Sequence, residues 1–328
     1  MSSIIIIFVV MALGFDFLNG FHDSANIVAT MISSRAMGPR RALLLSALAH
    51  FSAPFLFGVA VATTIGRDVV QPYASTIPVV LASLVAAIVW NLVTWLLGIP
   101  SSSSHALAGG LVGATVAGYG IEGVQISGLV KIFTALLLSP LLGLIGGYVL
   151  MKIVLFLARG ASPRINRFFK RAQVFTASAL ALSHGTNDAQ KTIGIITMGL
   201  VGAGLLDEFR VPLWVIAASS GAIALGTAMG GWRIIRTLGG KFYKIRPVHS
   251  FTAQITSTAV TLGAALLGGP VSTTQVVSSA ILGVGSAERL SKVRWGVAGN
   301  IALAWILTIP ASALLAALAY VAICHAGV

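Results

Sequence analysis

Charge is what this 328-residue chain has least of. Lys, Arg, Asp and Glu make up 9% of it, against about 25% in an ordinary soluble domain. Only eight residues are acidic. Cys324, the single cysteine, excludes an intramolecular disulfide and a thiolate metal cluster. The chain also lacks a basic n-region, because Met1-Ser2-Ser3-Ile4 turns apolar almost at once. A cleaved leader is therefore not expected, since a polar cassette falls where the processing site would lie. The net charge of +13 has no basic domain to hold it, so no nucleic-acid partner is expected. No Gly-x-Ser-x-Gly elbow is present, which weighs against a membrane-embedded hydrolase.

Apolar residues, by contrast, make up 57% of the chain, and its mean hydropathy is +0.96. Several runs exceed about 18 apolar residues, enough for a helix to cross a bilayer. The class is an all-α polytopic membrane protein. Two polar cassettes interrupt the apolar runs, and each occurs twice. Gly20-Phe-His-Asp-Ser-Ala-Asn26 is echoed by Gly185-Thr-Asn-Asp-Ala-Gln-Lys191. Pro100-Ser-Ser-Ser-Ser-His105 is echoed by Pro270-Val-Ser-Thr-Thr-Gln275.

The order of spans repeats with the cassettes, giving about ten membrane-embedded segments in two repeats. Residues 1–157 form the first repeat, 158–173 a basic cytoplasmic linker, and 174–328 the second repeat. Asn19-Gly20-Phe21 is weak helix, so a break is expected beside the first cassette. Residues 106–121, short and glycine-rich, read as a half-helix returning from a hairpin that turns at the serine cassette. Placing Arg35–Arg41 in the cytoplasm, with both hairpins returning to their own side, puts most Lys and Arg in inner loops. Both termini then lie outside. Three full crossings per half invert the second repeat relative to the first, the plan of many secondary transporters. The two serine and threonine hairpins approach from opposite sides and meet near the midplane.

Intramembrane carboxylates are costly and mark sites or partners. A single Asp could merely hold a helix break together; Asp23 and Asp188, at corresponding places in inverted halves, favour function. Asp16 has no such partner, since Ala181 holds the matching register, and its role is left open. The hydroxyl runs could glue helices together. Placed after a Pro and before a glycine-rich helix, they also build an anion cradle, because a new helix offers free N–H groups and a positive dipole end. His22, His105 and His184 adjoin the cassettes, and at least one of them is expected to handle protons or contact substrate. No metal centre is expected, since only His22-Asp23 shows ligand spacing, and no cofactor is implied.

These motifs together resemble the inorganic phosphate transporter (PiT) family, in family order and over nearly the whole chain. The resemblance implies uptake of inorganic phosphate driven by a cation gradient, inverted duplicated halves and outside termini. It implies substrate contacts from Ser102, Ser103, Ser104, Ser272, Thr273, Thr274 and Asn187. It places substrate and ion coupling at Asp23, Asn26, Asn187 and Asp188. Sodium-coupled relatives tend to read Gly-Ala-Asn-Asp-Val-Ala-Asn in both halves. Here His22 replaces the first Asn, and Gln190 and Lys191 stand where Ala and the last Asn would be. The second hairpin has Gln275 where His is common, and a large central soluble loop is missing.

The expectation is a non-enzymatic, proton-coupled phosphate symporter in the inner membrane, with the compact chain suggesting a prokaryotic source. Lys191 and His22 join the coupling group, because an ammonium beside Asp188 could replace a sodium ion and a His changes charge near neutral pH. The alternatives are sodium coupling, transport of sulfate or another oxyanion, and a channel. A homodimer is among the partners considered.

Overall fold

The computed structural model describes residues 2–326. Twelve helices follow one another: α1 (Ser2–Ser33), α2 (Pro39–Phe57), α3 (Ala60–Arg67), α4 (Ile77–Leu97), α5 (Ser103–Tyr119) and α6 (Ile126–Leu157), then α7 (Ile165–Gly202), α8 (Leu213–Met229), α9 (Trp232–Arg236), α10 (Pro247–Leu266), α11 (Thr273–Glu288) and α12 (Trp295–His325). Apart from short helical turns, the only other pairing among the described residues is an isolated bridge between Val70 and Val124. Four helices are long and apolar enough to cross a membrane, namely α1, α4, α6 and α12. The bent pairs α2–α3 and α8–α9 raise that to six. Counting each bent pair as one gives ten segments, and α1–α6 match α7–α12 one for one. Helix α7 begins at Ile165, so Arg167, Lys170 and Arg171 of the expected linker form its first turns.

The expected break beside the first cassette is not there. Helix α1 runs without interruption through Asn19, Gly20 and Phe21. Gly20 serves close approach instead, because a methyl at that position would overlap the Ile223 carbonyl of α8. Gly185 plays the same part against α2, where a methyl would stand 2.9 Å from His50 Cα. The break falls one span later in each half. The α2–α3 pair bends by 81° and the α8–α9 pair by 57°. Gly58 and Gly230 supply the turns with φ of 77° and 74°, a region costly for any side chain.

Those breaks expose backbone groups that hydrocarbon cannot satisfy, and the cassettes satisfy them from the opposite half. Gln190 donates to the Gly58 carbonyl at 2.6 Å and accepts from the Val61 and Ala62 amides at 2.8 and 3.3 Å. Ser24 accepts from the Gly231 amide at 2.9 Å.

Both hairpins return to their own side. The Gln71 amide bonds to the Gly123 carbonyl at 2.8 Å, tying the loop before α4 to the loop after α5. The Arg294 amide bonds to the Phe242 carbonyl at 3.1 Å, tying the loop before α10 to the loop after α11. Each returning helix packs on the last helix of the other half, α5 on α12 and α11 on α6. Glycines permit the approach: a methyl on Gly113 would overlap the Ala313 carbonyl, and one on Gly283 the Leu144 carbonyl. Outward faces of α6 and α12 carry exposed Leu137, Leu141, Ile145, Leu303, Ile306 and Leu314, suited to lipid.

Candidate functional site

The two cassette types meet where the hairpin tips touch. The Ser104 hydroxyl donates to the Val271 carbonyl at 3.1 Å, which joins the first hairpin to the second. Ser102 and Ser272 are the N-caps of α5 and α11. Their oxygens accept from the amides of His105 (3.1 Å) and Gln275 (3.3 Å), and Ser102 also bonds the His105 ring at 2.7 Å. These two residues therefore shape the helix ends, and the neighbouring hydroxyls of Ser103, Ser104, Thr273 and Thr274 are the ones that face the cassettes. The first amides of each helix have no partner within it, so two positive helix ends converge on one buried spot.

Asp23 sits at that spot, accepting from Thr274 at 3.1 Å and Ser103 at 3.3 Å. His22 Nδ1 lies 2.7 Å from the same carboxylate oxygen that accepts from Thr274. Asp188 occupies the matching place in the second half. It accepts from Thr273 at 3.0 Å and from the Lys191 ammonium, and His184 Nδ1 stands 3.1 Å away. Ser103–Asp23 and Thr273–Asp188 are thus the same contact made twice.

The positions of Asn26 and Lys191 also correspond. Asn26 donates to Thr274 at 3.0 Å, and Lys191 to Ser104 at 2.6 Å and the Val271 carbonyl at 3.2 Å. Each reaches across to the other half's hairpin. Lys191 is 1% exposed, so its charge depends on these partners rather than on water. Asn187 donates to the Gly269 carbonyl at 3.3 Å and leaves its own carbonyl unpaired.

All twelve residues expected at the site are buried, and they gather around the two hairpin tips. Two contributors were not assigned there. His184 stacks on His50 with ring centroids 4.9 Å apart, and His50 in turn bonds Thr227 at 2.7 Å. Val271 lends only its carbonyl, which side-chain identity does not report.

Along the chain, only His22-Asp23 shows metal-ligand spacing. Folding brings ligand atoms of Asp23, His184 and Asp188 within 4.8 Å of one another. Lys191, bonded to Asp188, already supplies the positive charge there. The donor set therefore fits a divalent ion poorly.

What the site offers is a ring of hydroxyl donors and helix amides, two carboxylates and one ammonium, sealed in an apolar shell. Hydroxyls that now donate to carboxylates can equally donate to a tetrahedral anion. Comparison with known proteins agrees with this chemistry. The model of the Phosphate transporter family matches residues 19–164 and again 157–316, once per half. The chain is 46% identical to a "Probable low-affinity inorganic phosphate transporter" of Bacillus subtilis, over 96% of each chain. A protein of the same description from Rhizobium meliloti is 48% identical over 96% of this chain and 95% of that one. Among solved structures, "The sodium-dependent phosphate transporter" superposes with a TM-score of 0.89 at 25% identity, covering 98% of this chain and 99% of the other. With both halves matched and relatives this similar over nearly the whole length, the chain belongs to the inorganic phosphate transporter family, a family of membrane transporters rather than enzymes.

Proposed function

We propose that this chain is a secondary active symporter that imports inorganic phosphate together with protons across a bacterial inner membrane, with both termini outside. In this reading residues 1–157 and 174–328 are inverted repeats joined by the basic segment 158–173, and rocking of one against the other exposes the site to each side in turn.

Phosphate is bound between the hairpin tips, replacing the carboxylates as acceptor for Ser103, Thr273 and Thr274 and the Val271 carbonyl as acceptor for Ser104. The first amides of α5 and α11 supply further donors. Ser102 and Ser272 hold those helix ends in place, and Asn187 orients the second hairpin through Gly269. Asp23 and Asp188 then accept from the phosphate hydroxyls. Sulfate carries no such proton at neutral pH, so the same carboxylates disfavour it.

The observation that carries the proton reading is Lys191. Its ammonium contacts Asp188, Ser104 and the Val271 carbonyl together. It thereby takes the space and charge that a sodium ion in the second half would require. His22 adds a ring nitrogen able to pass a proton, its Nδ1 2.7 Å from Asp23.

One observation favours the second reading, sodium coupling through the first half alone. Asn26 keeps an unpaired carbonyl oxygen and shares Thr274 with Asp23, and among the described residues no lysine pairs with that carboxylate. The solved neighbour, described as sodium-dependent, points the same way.

Uptake of labelled phosphate into proteoliposomes, with pH and sodium gradients varied separately, tests the choice. Accumulation driven by an inward proton gradient in sodium-free buffer is expected. Strict dependence on sodium with no response to the pH gradient would overturn the proton reading.

A further inference from the structure

Asp16 lies two turns before Asp23 on α1, where Ala181 is its second-half counterpart. It is fully buried, and neither of its carboxylate oxygens has a hydrogen-bond partner among the described residues. The groups around it are equally unpaired. Asn19, one turn further along the same face, has neither amide atom engaged. Thr192 of α7 and Ser219 of α8 face the carboxylate with hydroxyls that lack partners. Three helices therefore bring four polar side chains together and leave them unbonded.

The other intramembrane aspartates are not in this condition. Asp188 has Lys191, and Asp23 has Ser103, Thr274 and His22. An ionised, buried Asp16 with no hydrogen bond and no cation of its own is a costly charge. A proton removes that charge and adds a donor for which the oxygens of Asn19, Thr192 and Ser219 are ready acceptors.

The charged groups that face Asp16 come from α7, namely Asp188 and Lys191. Helix α8 faces Asp16 with Ser219, and neither α8 nor α4 has a charged residue. His50 of α2 is turned to His184 and Thr227. On α1 itself, His22 and Asp23 lie two turns on, paired with each other.

We propose that Asp16 is a proton-binding carboxylate of the transport cycle, in a pocket completed by Asn19, Thr192 and Ser219. This rests on the proton-coupled reading and names the group that carries the proton. On loading, one proton adds to a carboxylate oxygen. On discharge the same proton leaves to water on the inner side, and no other bond changes. An ionised Asp16 attracts the Lys191 ammonium away from the hairpin tips. A protonated one leaves Lys191 with Asp188, Ser104 and Val271, where it strengthens the field that holds the anion. Proton and phosphate thereby bind cooperatively.

The test uses purified protein in sodium-free proteoliposomes, comparing wild type with Asp16→Asn and Asp16→Glu. Asp16→Asn should lower pH-gradient-driven phosphate accumulation by roughly 10-fold, within the usual range of a coupling between two sites. It should also flatten the pH dependence of phosphate affinity relative to wild type; titration of phosphate itself is common to both and cancels in the ratio. Asp16→Glu, which keeps the acid, should retain the gradient response. Infrared difference spectra should show a protonated carboxylic acid band in wild type that Asp16→Asn lacks. Wild type that responds to the gradient, matched by an equally responsive Asp16→Asn, overturns this proposal alone. Wild type that ignores the gradient overturns the proton reading and this proposal with it. Sodium that protects wild type but not Asp16→Asn against thermal unfolding assigns the pocket to a cation and also overturns it.

Discussion

Asn26 and Lys191 stand at matching positions of the two halves, and each donates a hydrogen bond to a hydroxyl on the opposite hairpin. The surrounding contacts are also duplicated, from Ser103–Asp23 and Thr273–Asp188 to the glycine turns at Gly58 and Gly230. Charge is where the halves part. Each half holds a carboxylate with a hydroxyl donor and a histidine; only the second also locks its carboxylate to an ammonium. Duplication has fixed the geometry of the two hairpin tips while leaving the charge of each half free to diverge.

The largest expected effect separates these two halves directly. Lys191→Met leaves Asp188 buried without its cation and should cost about 3–5 kcal/mol, the range for breaking a buried pair. Asn26→Leu removes a neutral donor to Thr274 and should cost about 1–3 kcal/mol through the polar groups left unpaired. Thermal unfolding in detergent compares the two. The double variant Asp188→Asn/Lys191→Met should recover most of the stability and still fail in proton-driven uptake. Equal losses for Lys191→Met and Asn26→Leu would remove the distinction between the halves.

Next in size is a comparison of the two cassette glycines. Gly20→Ala forces a methyl into the Ile223 carbonyl, whereas Gly185→Ala brings one to 2.9 Å from His50 Cα and 3.0 Å from Ala53 Cβ. Overpacking of this kind typically costs about 1–3 kcal/mol. Gly20→Ala should lie at the upper end, because its methyl would stand 2.1 Å from the Ile223 carbonyl oxygen, a deeper overlap than the 2.9 Å contact at Gly185. Melting temperatures that rank the other way would show that α1 and α8 part more easily than α7 and α2.

The glycine comparison also explains what the sequence made legible. Repeated motifs reported the inverted halves, the ten segments and the hairpins, because a cassette copied in order carries topology with it. The reading of Gly20 failed because intrinsic propensity cannot distinguish a glycine that breaks a helix from one that admits a neighbour. Only the opposing element decides, and here it is α8 from the other half. The true breaks at Gly58 and Gly230 lay in spans whose composition is otherwise plainly helical. Gln190 looked like a departure from the motif, yet it caps the α2–α3 break across 132 residues of chain. Asp16 could be noticed as unpaired in register, but its setting among Asn19, Thr192 and Ser219 required three helices to be assembled.

A smaller effect, on binding rather than folding, tests whether the two hairpins share one ligand. Ser103→Ala and Thr273→Ala each remove one donor and should weaken phosphate binding by about 0.5–1.5 kcal/mol, and by similar amounts in both halves. Isothermal titration of the detergent-solubilised protein reads the affinities. A folded variant lacking the hydroxyls of Ser103, Ser104, Thr273 and Thr274 together, yet binding phosphate as wild type does, would refute the shared cradle.

The smallest difference lies in the helix caps. Ser272 holds one donor, the Gln275 amide at 3.3 Å, while Ser102 holds the His105 amide at 3.1 Å and the His105 ring at 2.7 Å. Loss of an N-cap typically costs about 0.5–2 kcal/mol. The additional ring contact should make Ser102→Ala worse than Ser272→Ala by roughly 0.5–1 kcal/mol, the net worth of one hydrogen bond. His105→Gln, which copies the second hairpin's residue onto the first, should bring the two cap variants level. Chemical denaturation of Ser102→Ala and Ser272→Ala, each made in the wild-type and in the His105→Gln background and compared with its own parent, checks this. A gap between the caps that survives His105→Gln would mean that the two hairpins differ in backbone geometry and not merely in the residue that follows the serines.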